Sequence, residues 1–347
     1  MKSMSEHASK RTLKNDALFV AASVVLGVTR RLPRPLLRAL GRITAALAYA
    51  LVPSARRIAL SNRARVAPQE LLAARRSFVW RVYQSLGRAL GDTVSLLGKP
   101  NTLSRKRPSA FDPVPWGAGG RDALDAAIAR GRGVVFASAH LGPWEHVAGT
   151  LVHHGIPLTA LARESYDPRF TKLYDAIRGG LGVPVVYRGE RYAAHRMLRT
   201  LRAGGVLGIP MDLRSRVPSV RVPFLGIDAD TPSGPARLAL RTKSSVVVGT
   251  LAPDPNGGAP VLTTTAIPTD DLHDTFGTRG TAEHDRVVEL TRRINDELSR
   301  RILALPHLWV WMHPRFEGSD AFGSSTPQKA SGSPQGMGQS WGTQRFT

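Results

Sequence analysis

From Gly120 onward, short, mainly apolar runs alternate with segments of helical period. The runs are Gly133–Ser138, Leu158–Ala162, Val183–Tyr187, Val206–Met211 and Ser245–Leu251. Helical segments lie at 143–154, 168–181, 191–203 and 233–242, after a first one, RDALDAAIARG, that ends at Gly131. Apolar runs of this length, without polar alternation, read as strands covered on both faces. Strands separated by helices pair in parallel, because a parallel neighbour is reached only through a crossover. The pattern predicts an α/β fold over residues 116–317: a mostly parallel central sheet flanked by helices. An amphipathic helix at about 283–304 and a last strand, Leu308–Met312, would close it. There is no internal repeat.

Upstream, residues 56–115 read as a helical segment followed by a Pro/Gly-rich link. Leu71, Leu72, Phe78, Val79, Val82, Tyr83, Leu86 and Leu90 form its predicted buried stripe. Residues 318–347 are Gly, Ser, Gln and Pro with little apolar content, which predicts a disordered tail. Two apolar stretches occupy residues 1–55. Ala17–Val28 has twelve residues, short of the roughly 20 that span a bilayer. Arg30, Arg31 and Arg34 follow it, where a secretory signal would have small residues and a cleavage site. Ala39–Val52 is interrupted by Arg42. Both fit helices lying on a membrane surface with their arginines on lipid phosphates; ordinary core helices are the alternative.

The formal net charge is +22, and only eight of the 48 basic residues are lysine. Such a chain is drawn to polyanions, although an Arg- and Ala-rich composition also reflects a GC-rich genome. A nucleic-acid-binding protein would cluster its cations on one face among stacking aromatics. Here the arginines are dispersed, aromatics make up 6%, and no binding motif appears. The chain has no cysteine, which excludes a disulfide scaffold, a thiolate zinc site, an iron–sulfur cluster and a cysteine nucleophile.

SAHLGPWEH, residues 138–146, carries the candidate chemistry. In α/β sheets reactive groups gather at the carboxyl ends of strands. His140 stands two residues beyond a strand, and Glu145 falls in the first turn of the next helix, which Pro143 suits. A carboxylate on one imidazole nitrogen leaves the other free to take a proton from a hydroxyl. A metal hydrolase fits less well, because H-x-x-E-H ligands share one continuous helix, whereas this spacing is longer and holds a proline. A histidine capping a helix is the plain alternative.

AHLGPWE resembles the H-L-G-N-W-E element of the lauroyl/myristoyl acyltransferases of lipid A biosynthesis, members of the lysophospholipid acyltransferase superfamily with its H-x-x-x-x-D/E motif. Further elements follow in the family's order. LARESYDPRFTKLYDAIRGGLGVPVV carries Arg163 and Arg178, and LRAGGVLGIPMD ends at Asp212. VRVPFLGIDADTPSGPARLALRTKSSVVVG is similar to the segment with F-x-G, T-x-x-G-P-A and A-x-x-T. PHLWVWMHPRFE is similar to the closing W-x-W-x-H-x-R-[FW], and RRIALSNRARVAP to the stretch before the helical region. The likeness spans about residues 30–317. Two positions depart: Pro143 stands where the family has asparagine, and Leu213 where it has glutamine, which bears on acceptor choice.

The resemblance implies a membrane-associated O-acyltransferase on the cytoplasmic face of a bacterial inner membrane. His140 would remove the proton of a lipid hydroxyl, and Glu145 would orient His140. The hydroxyl would attack a thioester of acyl carrier protein or coenzyme A. The acceptor would be a lipid A precursor, another glycolipid or a lysophospholipid. No cofactor, metal or acyl-enzyme is required, and nucleic acid is not an expected partner. Arg163, after the second strand, would bind phosphate or stabilise the oxyanion, as backbone amides of the Leu141–Trp144 turn also could. Arg178 and Asp212 are further substrate-binding candidates. Arg178 could instead pair with Asp175, and Asp212 could anchor an arginine or the acceptor. Gly234-Pro235 marks a helix start or a simple turn. Trp309, Trp311 and His313 would share one face of the closing strand.

Overall fold

The computed structural model describes residues 32–66, 75–96, 111–165, 167–273 and 281–316, together with Asp16 and Gly27. Helices α1 (Arg34–Leu51), α2 (Pro53–Val66) and α3 (Arg75–Val94) precede the sheet. Strands and helices then alternate: α4 (Asp122–Ala129), β1 (Val134–Ser138), α5 (Trp144–His153), β2 (Leu158–Ala162), α6 (Pro168–Gly180), β3 (Val185–Tyr187), α7 (Ala193–Arg202) and β4 (Val206–Pro210). A pair, β5 (Ser219–Phe224) and β6 (Ile227–Pro232), precedes α8 (Gly234–Thr242), β7 (Ser245–Ala252), β8 (Val261–Ile267), α9 (Asp270–His273) and α10 (Thr281–Ala304). The main sheet has the order β3-β2-β4-β1-β7-β8, with β8 antiparallel to β7 and every other pair parallel.

Alternate side chains of the central strands enter two different cores. Val135, Ala137, Leu207, Ile209, Val246 and Val248 pack with α8, α10 and the N-terminal helices. Val134, Phe136, Val206 and Val247 pack with α4 and α5. This double burial is why β1 and β7 appear as unbroken apolar runs.

Besides β8, which the apolar runs did not include, three parts of the fold differ from the sequence expectation. First, β5 and β6 form a separate hairpin. Its two-residue turn, Leu225-Gly226, has φ of 53° and 80°, the left-handed pair that matches the twist of adjoining strands. Second, Leu308–Met312 is not a strand. A single 3-10 turn, Pro306–Leu308, leads to an isolated bridge between Trp309 and Leu141. Trp309 and Trp311 are both fully buried, and this turn packs under α3, where Phe78 meets Trp311 edge-on at 5.5 Å. Third, Phe78, Val79, Val82 and Tyr83 are buried in α3, but Leu90 is 47% exposed. The inner line at that end is taken by Gly87 and Gly91. Leu71, Leu72, the stretch 17–28 apart from Gly27, most of the link, and the tail 318–347 lie outside the described residues.

Those glycines join α1 to α3 backbone to backbone. A Cβ on Gly41 would lie 2.0 Å from the Gly87 carbonyl oxygen, and one on Gly91 would lie 2.4 Å from that of Leu37. Arg34 and Arg38 both reach Asp92 at 2.7 Å. With its small residues turned inward, α1 points Leu36, Leu40, Ile43, Leu47 and Leu51 outward, a stripe at spacings of three and four. No single described helix is long and apolar enough to cross a membrane, and α1 and α2 meet at a bend of 89°.

Candidate active site

The strand register sets the site. In the β1–β4 pair Ser138 lies opposite Pro210, so extending both chains by two residues brings His140 beside Asp212. The backbone N–H of His140 donates to Asp212 Oδ2 at 2.9 Å, and the imidazole Nδ1 meets Oδ1 at 2.9 Å. An ionised carboxylate only accepts, so Nδ1 carries the proton and Nε2 is left as the acceptor. Trp309 completes the shell, its Nε1–H donating to Asp212 Oδ2 at 2.8 Å. Asp212 is fully buried, whereas a quarter of the His140 side chain is exposed.

Electrostatics follow from this geometry. Burial disfavours the imidazolium, but the charge and hydrogen bond of Asp212, with Glu145 adding to them, outweigh it and raise the His140 pKa above its ordinary 6.5. Burial alone would raise the Asp212 pKa. The charge of His140, its two hydrogen bonds and the Trp309 donor hold it below the usual carboxylate range instead.

Glu145 makes no hydrogen bond to His140. It opens α5, buried, and accepts two bonds from Arg178 of α6, from Nη2 at 2.7 Å and from Nε at 3.1 Å. Arg178 also stacks over Tyr174 at 5.3 Å. It does not pair with Asp175, whose carboxylate accepts from the Tyr187 hydroxyl. Among the described residues no arginine is hydrogen-bonded to Asp212, which lies beneath His140 rather than in the cavity lining. Between His140 and Glu145 the chain turns at Gly142, with φ +67°. The Gly142 amide donates to the Leu308 carbonyl at 3.0 Å, so the 306–309 turn braces this loop as well.

A cavity of about 650 Å³ opens in front of His140, with Trp144, Glu145, Arg163 and Arg178 in its wall. Sequence reasoning named Arg163 and Arg178 there, placed His313 on a strand face, and missed Arg188, Arg214 and Arg237; all of them line it. Arg188 extends the strand-end pattern, following β3 as Arg163 follows β2. Among the described residues Glu145 is the one carboxylate in the lining, and Arg178 already neutralises it, so the cavity presents a positive field. Arg188 bonds Ser215 Oγ at 2.9 Å. Burial pushes the His313 pKa down, favouring a neutral ring. Behind Trp144 a smaller, apolar cavity of about 80 Å³ runs between β1 and α5, past Phe136, Val147, Leu151 and Gly208.

His146, next to Glu145, faces away from this cavity. It stacks on Phe111 at 5.8 Å and lies 3.5 Å from Arg34. Burial, then Arg34, lowers its pKa to about 4. Among the described residues no group of three or more histidines and carboxylates could hold a metal ion. Gly234-Pro235 does open a helix, α8, and both residues line the large cavity.

A family model described as bacterial lipid A biosynthesis acyltransferase matches residues 5–317 of the chain. Two phosphatidylinositol mannoside acyltransferases of Mycobacterium tuberculosis, from strains CDC 1551 / Oshkosh and ATCC 25618 / H37Rv, are each 32% identical to it over 151 residues. The similar stretch is 43% of this chain and spans 46%, about half, of each relative's length.

Proposed function

The chain belongs to the bacterial lipid A biosynthesis acyltransferase family, and from that premise we propose that it moves a fatty acyl group from a thioester to a hydroxyl of an anionic glycolipid. The observation that carries this reading is His140, whose Nδ1 is tied to Asp212 while its ring reaches a cavity of substrate size. Nε2 takes the proton of the acceptor hydroxyl as that oxygen bonds to the thioester carbonyl carbon. The carbonyl electron pair moves onto oxygen, where cavity cations such as Arg163 stabilise it. Collapse expels the thiolate, which takes the proton back from the imidazolium. Asp212 steadies that imidazolium, and Glu145 keeps Arg178 in the cavity wall.

The positive cavity supports a phosphate-bearing substrate. Both candidate donors, acyl carrier protein and coenzyme A, present their thioester on a phosphopantetheine arm. The name of the mycobacterial relatives supports a phosphoglycolipid acceptor over an uncharged lipid. The apolar cavity behind Trp144 suits hydrocarbon. The outward stripe of α1 supports seating on the anionic cytoplasmic surface of a membrane, parallel to it rather than across it.

Purified protein incubated with membrane lipids and a radiolabelled acyl thioester, offered in turn on coenzyme A and on carrier protein, should label a glycolipid. His140→Ala should lower the rate about 10³-fold or more. Unchanged transfer by that variant would refute the mechanism.

A further inference from the structure

Resting on the reading of His140 as the base, we infer that Trp309 is a positioning residue of the acyl-transfer site, its indole N–H fixing the Asp212 carboxylate beneath His140. The geometry singles it out. Asp212 Oδ1 serves the imidazole alone, while Oδ2 accepts from the His140 amide and from the Trp309 indole at 2.8 Å. With both donors in place the carboxylate cannot swing, so the lone pair facing Nδ1 keeps its direction. Phenylalanine would fill most of the same apolar space but has no donor.

Trp311 supplies the contrast within one turn. Its indole meets that of Trp309 edge-on at 4.9 Å, and it is equally buried. Its Nε1–H, however, is spent on the Pro306 carbonyl at 2.6 Å, a bond that only shapes the turn. Asn62 of α2 holds the same segment by donating to the carbonyls of Trp311 and His313 at 2.9 and 2.7 Å. The N-terminal helices therefore reach the base through a chain of buried bonds and contacts: Asn62, the closing turn, Trp309, Asp212, His140.

The test replaces each indole in turn with β-(3-benzothienyl)alanine, which keeps the bicyclic shape and substitutes sulfur for the N–H. Trp309→Phe serves as a second variant, and His140→Ala as the reference. At position 309 the replacement should lower kcat about 10- to 100-fold, as loss of a hydrogen bond to a charged group does, with KM for the acyl thioester unchanged. It should also move the acid limb of the pH profile upward, because a carboxylate relieved of the indole holds the imidazolium more tightly. The same replacement at 311 should lower the melting temperature and leave the acid limb in place. An unchanged kcat and acid limb at 309, beside a dead His140→Ala, would overturn the role of Trp309 alone. Full activity in His140→Ala would overturn this inference together with the reading it rests on.

Discussion

The floor and the wall of the cavity hold their charges differently. On the floor Asp212 grips an imidazole that gains and loses a proton. On the wall Glu145 grips a guanidinium whose charge is permanent. His140 and Glu145 are only five residues apart, yet the turn at Gly142 sends one to each region. The floor is built by strand register and the wall by an ion pair that joins two helices. A short histidine–carboxylate motif therefore need not be one hydrogen-bonded pair: here each member takes its partner from elsewhere in the fold, Asp212 from just beyond β4 and Arg178 from α6.

Breaking the floor should have the largest effect. Asp212→Asn should cut transfer about 10²- to 10⁴-fold, since the base loses its tautomer and its counter-charge. The acid limb of kcat/KM reports the His140 pKa, which stands above 6.5 in the intact protein, so activity should rise as pH climbs through that value. In Asp212→Asn burial acts unopposed by the carboxylate, and the limb should move to lower pH.

Breaking the wall should be felt mainly in stability. Glu145→Gln leaves the Arg178 charge, with 16% of its side chain exposed, without its counter-charge, and should cost about 3 kcal/mol in urea unfolding. Its acid limb should move less than that of Asp212→Asn, because Glu145 contributes to the His140 shift after Asp212. Replacing Arg178 by Met in the same chain should restore most of the stability. If Glu145→Gln displaced the acid limb as far as Asp212→Asn, floor and wall would be one coupled unit.

The smallest effect on the chemistry should come from a change remote from both. Ile43→Ser combined with Leu47→Ser removes two outward side chains of α1. It should leave the pH profile unaltered and lower partition onto anionic vesicles about tenfold or more in a flotation assay.

The α/β plan was legible because both-sided burial writes itself as continuous apolar runs, and His140 and Glu145 were visible as a motif at a strand end. Their partners were not. The His140–Asp212 pair depends on β4 lying beside β1, and no local pattern states which strands are neighbours. Arg178 pairs across two helices, again a matter of layer packing. The β5–β6 hairpin did leave a signal, the alternation in SVRVPF, but the two-residue turn is Leu-Gly rather than the usual Asn-Gly or Asp-Gly. The W-V-W stretch suggested a strand by composition. The turn at Pro306 and the burial of both indoles instead folded it into a brace.

That brace also fixes when the site can exist. Trp309 lies 97 residues beyond Asp212 along the chain, so it leaves the ribosome after the strands, His140 and most of the cavity lining have been made. Until it arrives, the carboxylate under His140 lacks its indole donor and the loop at Gly142 lacks its anchor. A partly synthesised chain therefore carries an unfinished site until the closing turn docks.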